Sequence, residues 1–152
     1  MMQITKEFYF DAAHRLFEYI GKCSNIHGHR YEVVVCLSTI SLDKFAISVD
    51  FGIIKSLFQG WLDEKWDHKL ILNIHDPLVD CLESIVSSKT ISGIELPYCM
   101  SCNPTAESMA QYLATSIFPD ILKRNGIEAT ISSVSVFETP TSSACFIVDS
   151  DV

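Results

Sequence analysis

Two strand-forming runs, Ile4 to Phe10 and Arg30 to Leu37, stand on either side of a loop from Phe17 to Asn25, and histidines flank that loop: His14 after the first run, His27 and His29 before the second. The second run, Arg30-Tyr31-Glu32-Val33-Val34-Val35-Cys36-Leu37, is rich in residues that favour a pleated backbone. Side chains alternate along an extended chain, so His27 and His29 are expected on one face. If the runs pair as a hairpin, His14 can supply a third nitrogen. Three neutral imidazoles with an open fourth position are the donor set of a catalytic zinc, whereas structural zinc usually takes four protein ligands. A His-x-His pair alone is more often a partly buried strand feature than a metal site. Two further groups suited to acid and base chemistry strengthen the metal reading: Cys23, four residues before His27, and the Asp67-His68 pair.

From Gly52 to Trp66, the apolar residues Ile53, Ile54, Leu57, Phe58, Trp61 and Leu62 recur at helical spacing and give one face for a sheet to bury. A second helix is expected from Asn103-Pro104-Thr105, with Asn103 as cap and Pro104 in the first turn. Its stripe of Met109, Ala110, Leu113 and Ile117 should end at Pro119. Between the two, Asp76-Pro77 opens a short helix through Ile85 and Val86, followed by an extended Ile94 to Tyr98, which together read as a lid or rim insertion. Thr130 to Glu138 and Ala144 to Val148 form a closing pair of strands joined by Thr139-Pro140-Thr141-Ser142-Ser143. The expected fold is α+β: one domain over residues 1–152, with a four-stranded antiparallel sheet and two main helices on one face. So small an open sheet exposes its edges, and joining sheets from several subunits into a barrel is one remedy.

The chain is long enough to bury a core without staples. Its net charge of -8 and pI near 4.9 argue against a nucleic-acid surface, which needs clustered Lys and Arg. No basic segment leads into an apolar stretch at the start, and no apolar run reaches membrane-spanning length. A cytoplasmic protein with no membrane partner is therefore expected. The six cysteines then read as reduced thiols. Cys99 and Cys102 form a lone C-x-x-C without a second pair, and Cys36 and Cys145 read as small apolar residues within strands.

Taken in order, Phe10-Asp11-Ala12-Ala13-His14, Cys23-x-x-x-His27-Gly28-His29-x-Tyr31, Val49-Asp50-Phe51-Gly52, Trp66-Asp67-His68-x-Leu70 with Leu72-Asn73, Asn103-Pro104-Thr105-Ala106-Glu107, and Glu138-Thr139-Pro140-Thr141-Ser142 resemble the 6-pyruvoyltetrahydropterin synthase family across nearly the whole chain. Within it, the Glu-Thr-x-Thr-Ser run and the overall spacing look most like the 6-carboxy-5,6,7,8-tetrahydropterin synthase branch, which serves queuosine precursor synthesis. The resemblance implies a tunnelling fold and a homo-oligomer, a hexamer of two stacked trimeric barrels, with sites between subunits. It also implies zinc as cofactor and 7,8-dihydroneopterin triphosphate as substrate. One departure is visible: the stretch from His75 to Cys102 is longer than the shortest family members carry.

Carried over residue by residue, the resemblance gives His14, His27 and His29 as metal ligands, Cys23 as proton acceptor in its thiolate form, and Asp67 as the carboxylate that orients His68 for proton exchange. Glu138 becomes the pterin anchor, because one carboxylate can accept a ring N–H and an exocyclic amino hydrogen together. Glu107 either contacts substrate or stabilises the N-terminus of its own helix. Thr105 and Thr139 are weaker candidates for contact with the ring, and Lys22, Arg15, Arg30 and Lys69 stay unassigned as triphosphate partners. The implied reaction releases triphosphate and acetaldehyde and leaves a 6-carboxylated tetrahydropterin. An alternative keeps the carbons as 6-pyruvoyltetrahydropterin, and a rival of another class is a non-catalytic zinc-stabilised binding module.

Overall fold

The computed structural model describes residues 1–149. Strands β1 (Met2–His14) and β2 (His27–Thr39) form one long antiparallel hairpin, with Phe8 opposite Val33, Phe10 opposite Tyr31 and His14 opposite His27. β5 (Thr130–Thr139) continues the sheet beside β2, and β6 (Ser142–Ile147) folds back on β5. These are the four antiparallel strands expected from the sequence.

The sheet is wider than that, with six strands in the order β4-β3-β1-β2-β5-β6. β3 (Leu70–Asn73) runs parallel to β1, and β4 (Tyr98–Met100) runs parallel to β3. Four and three residues are too few to show a period of two, and Ile71 and Leu72 are both fully buried, so β3 has no alternation to read. The segment expected to be a lid or rim thus contributes a sheet strand, and its expected extended stretch forms later, at Tyr98–Met100.

Three consecutive turns, Phe51–Ile54, Lys55–Gln59 and Gly60–Lys65, run on as one helix, α1. Asp50 caps it, its Oδ1 accepting from Gly52 N–H at 2.6 Å and Ile53 N–H at 3.3 Å. α2 (Leu78–Ser88) follows β3. α3 joins Ala106–Tyr112, Leu113–Ile117 and Phe118–Arg124. Thr105, not Asn103, is its cap: Thr105 Oγ1 accepts from Ser108 N–H, and Ser108 Oγ accepts from Thr105 N–H. Pro119 does not end the helix, because the wide turn Leu113–Ile117 just before it accommodates a residue that donates no backbone bond.

The inward faces of β1 and β2 meet α1 and α3 in one core. Phe8 packs on Phe58 and Phe118, whose rings stack at 4.0 Å, so a single aromatic knot ties both helices to the hairpin. Truncating Phe58 to Ala would cost about 3–5 kcal/mol. Trp66, fully buried at the end of α1, lies against Phe10, Trp61 and Tyr98. Its burial fixes where the next two residues, Asp67 and His68, leave the core. Among the described residues, no helix is long and apolar enough to cross a membrane.

Candidate metal centre

Strand register places the histidines. His14 faces His27, Ala12 faces His29, and alternation puts all three imidazoles on the side that carries the core residues Phe10 and Tyr31. His14 is only 2% exposed. Its Nδ1–H donates to the Pro104 carbonyl at 2.7 Å, and His27 Nδ1–H donates to the Asn25 carbonyl at 2.8 Å, so each ring keeps its free lone pair on Nε2. These two Nε2 atoms stand 3.1 Å apart. Neutral rings committed in this way meet lone pair to lone pair, and a shared cation relieves that repulsion. His29 Nε2 is buried with no hydrogen-bond partner, a state that costs about 1–3 kcal/mol when nothing fills it. The ligand-capable atoms of the three rings all lie within 4.8 Å of one another. Donor type, the two carbonyls behind the rings and the orphaned nitrogen suit a divalent cation, so His14, His27 and His29 could form a metal site.

Burial pushes the His14 imidazole down to about 4; the bond to Pro104 opposes the shift, and the neighbouring His27 and His29 add to it. The ring is therefore neutral near pH 7, as a ligand must be.

Glu138 and Cys23 are placed by irregular backbone. The β5–β6 register shifts between Phe137 and Thr139, leaving Glu138 at the bulge. Its Oε1 comes within 3.9 Å of His14 Nε2. Cys23 sits half-buried in a short 3-10 turn, Lys22–Ser24, and its carbonyl accepts from Leu16 N–H at 2.8 Å. The Tyr31 ring stands edge-on to His14 and His29, and its buried hydroxyl has no partner. Burial, then the nearby Glu138 and Cys23, push that phenol far above its ordinary range.

Asp67 and His68 form a tight pair, with His68 Nδ1–H donating to Asp67 Oδ2 at 2.6 Å. Asp67 Oδ1 accepts from Asp11 N–H at 2.8 Å, and His68 N–H donates to the Asp11 carbonyl at 2.6 Å, so the pair is stitched to β1 just ahead of the pairing between β1 and β3. His68 adopts a left-handed backbone with φ of 57°, unusual for a residue with a Cβ, and these bonds hold it there. Partial burial raises the Asp67 carboxyl, but the Asp11 N–H, the His68 bond and charge, and Arg30 together hold it below its ordinary value. The His68 ring is largely exposed on an open depression that it shares with Gly28, His29 and Arg30. Among the described residues, no hydrogen bond or ion pair joins this pair to Cys23, Glu138 or the three imidazoles.

The remaining candidates divide. Thr105 is occupied as the α3 cap, Glu107 is exposed in the first turn, and Thr139 Oγ1 accepts from Thr141 N–H. Arg15 pairs with the buried Asp76 at 2.7 Å, Arg30 with Asp11 at 3.3 Å, and Lys69 with Glu95. Two groups escaped the sequence reading, the carbonyls of Pro104 and Asn25 behind the imidazoles, because a backbone oxygen has no signature in residue type.

Comparison with known proteins agrees with this architecture. The profile of the family described as 6-pyruvoyl tetrahydropterin synthase matches residues 3–147. The 6-carboxy-5,6,7,8-tetrahydropterin synthase of Rickettsia bellii (strain RML369-C) is 35% identical over 148 residues, covering 97% of this chain and 99% of that protein. The protein of the same name from Haemophilus influenzae is 32% identical, covering 93% and 96%. Among solved structures, an uncharacterized protein of Wolinella succinogenes superposes with a TM-score of 0.77 at 27% identity, covering 97% of this chain and 98% of the other. A Plasmodium vivax 6-pyruvoyltetrahydropterin synthase shares the fold, with a TM-score of 0.67 at 18% identity, covering 95% and 96%. Matched from its third residue to the end of β6, and aligned almost end to end with these relatives, the chain belongs to the 6-pyruvoyl tetrahydropterin synthase family.

Proposed function

We propose that the chain is a zinc-dependent 6-carboxy-5,6,7,8-tetrahydropterin synthase. It converts 7,8-dihydroneopterin triphosphate and one water to 6-carboxytetrahydropterin, acetaldehyde and triphosphate, in the cytoplasm and for 7-deazaguanine (queuosine) precursor synthesis. The observation that carries the reading is the buried, partnerless His29 Nε2 aligned with two imidazoles whose other nitrogens are already committed. Near end-to-end similarity to proteins named for that activity supports the choice of branch.

Zinc held by His14, His27 and His29 would supply a Lewis acid that makes the C–H and O–H bonds of the substrate side chain more acidic. Cys23, on its anchored turn, takes a proton from that side chain. His68 exchanges protons with it, held in one orientation by Asp67. Glu138 accepts the two hydrogens of the pterin edge, and its place beside His14 sets the ring next to the reacting carbons. Glu107 and Thr105 lie at the N-terminus of α3 as secondary contacts.

No hydrogen bond or ion pair among the described residues joins the Asp67-His68 pair to Cys23, which favours a site completed by a second copy of the chain. The open edges at β4 and β6 and the exposed apolar side chains Ile40, Leu42, Phe45 and Ile47 suit such an assembly, a hexamer in this reading.

The test is a product assay on zinc-loaded protein. Acetaldehyde released together with triphosphate supports the proposal. A retained three-carbon side chain assigns the pyruvoyl reaction instead. No turnover, with Cys23→Ala indistinguishable from wild type, leaves a zinc-stabilised binding module.

A further inference from the structure

The loop that carries Cys23 is tied to the metal side of the molecule by one carboxamide. Asn103 Oδ1 accepts from Phe17 N–H at 2.8 Å, and Asn103 Nδ2–H donates to the Phe17 carbonyl at 2.9 Å, so a single side chain closes both backbone groups of one loop residue. Asn73 Nδ2–H reaches the same oxygen at 3.4 Å. The Asn103 backbone is itself fixed, since its carbonyl accepts from Thr105 N–H at 2.9 Å and Ser108 Oγ–H at 2.7 Å in the first turn of α3. The residue before Phe17 passes the constraint on, Leu16 N–H donating to the Cys23 carbonyl at 2.8 Å. The residue after Asn103 is Pro104, whose carbonyl holds His14 Nδ1–H. Two adjacent residues therefore fix the orientation of His14 through a backbone oxygen and the path of the Cys23 loop through a side chain.

We infer that Asn103 is a positioning residue that sets Cys23 against the three-imidazole site. The inference rests on the proposed reaction only in giving Cys23 the proton-accepting role; the clamp itself can be tested without turnover. The head group must offer one donor and one acceptor side by side. Asp in its place keeps the acceptor but sets a carboxylate oxygen against the Phe17 carbonyl, Gln carries the head one methylene too far, and Ala removes both bonds. Helix capping does not account for Asn103, because Thr105 already caps α3.

The experiment compares Asn103→Asp and Asn103→Ala with wild type and with Asp50→Ala, which removes the cap of α1 and so lowers stability at a distance from the clamp. Full-length protein, with and without zinc, is alkylated with iodoacetamide. Labelling of Cys23 is read by peptide mapping against the exposed Cys81 as internal reference. Both Asn103 variants are expected to change the Cys23 to Cys81 ratio by about tenfold while Asp50→Ala leaves it unchanged, and kcat is expected to fall by about tenfold or more with KM held within about threefold. An unchanged ratio in the Asn103 variants, or an equal change in Asp50→Ala, overturns the inference. Inactivity of wild type refutes the proposed reaction while the labelling still decides the clamp. Wild-type hydrogen exchange gives a reading that needs no substitution: slow exchange at the Phe17 amide supports the clamp, and exchange at the rate of a free loop amide overturns it.

Discussion

Removing metal leaves the acid response of His14 exposed. The ring is 2% exposed, and burial lowers it from 6.5 to about 4, so between those values the unfolded chain takes up a proton that the folded chain refuses. The unfolded state then binds more protons, and stability falls as pH falls through that window. Each pH unit is worth about 1.4 kcal/mol, so the span removes roughly 3 kcal/mol from the metal-free protein between pH 6.5 and pH 4. That is a large fraction of the 5–15 kcal/mol typical of a domain, at about its lower end. Urea unfolding of chelated wild type and His14→Gln at pH 7, 6, 5 and 4 isolates the contribution, because Gln does not titrate and can still donate to the Pro104 carbonyl. Wild type should lose roughly 3 kcal/mol more than the variant over that range. Parallel pH profiles would refute the reasoning, showing that the imidazole is not held neutral in the folded chain.

Tyr31→Phe removes a buried hydroxyl without a partner, so urea unfolding should show it neutral or more stable by up to about 1 kcal/mol, and a loss beyond that would reveal a hidden partner. Glu138→Gln keeps the shape but loses the charged fork; kcat/KM for the pterin triphosphate should fall about 10- to 100-fold, and an unchanged value removes Glu138 from the site. Chelation should lower the melting temperature and restoring zinc should recover it, with a gain that grows with free metal concentration. His29→Ala should lose most of that gain.

The histidine convergence was legible because the two strand runs are long and rich in aromatic and β-branched residues, and one hairpin register brings His14 opposite His27. The helix faces were legible for a similar reason: Ile54, Phe58 and Leu62, and likewise Met109 and Leu113, repeat often enough to show a period. What stayed hidden depends on contacts between distant segments. β3 and β4 are short, and the pairing of β3 with β1 and of β4 with β3 follows from the burial of Trp66 and Ile71, not from local pattern. Asn103 looked like a helix cap from its neighbours, yet its carboxamide spans 86 positions to Phe17, and no local rule announces that bond. The left-handed turn at His68 and the bulge at Glu138 set the placement of two candidate site residues by backbone features that residue type does not encode.

X-ray absorption on zinc-loaded protein tests the central claim most directly. The account predicts three nitrogen ligands at about 2.0–2.1 Å and one exchangeable oxygen, with the imidazole signal falling by one in His29→Ala. A four-ligand protein site that includes sulfur at about 2.3 Å would contradict it. So would a purified chain that binds no zinc at neutral pH.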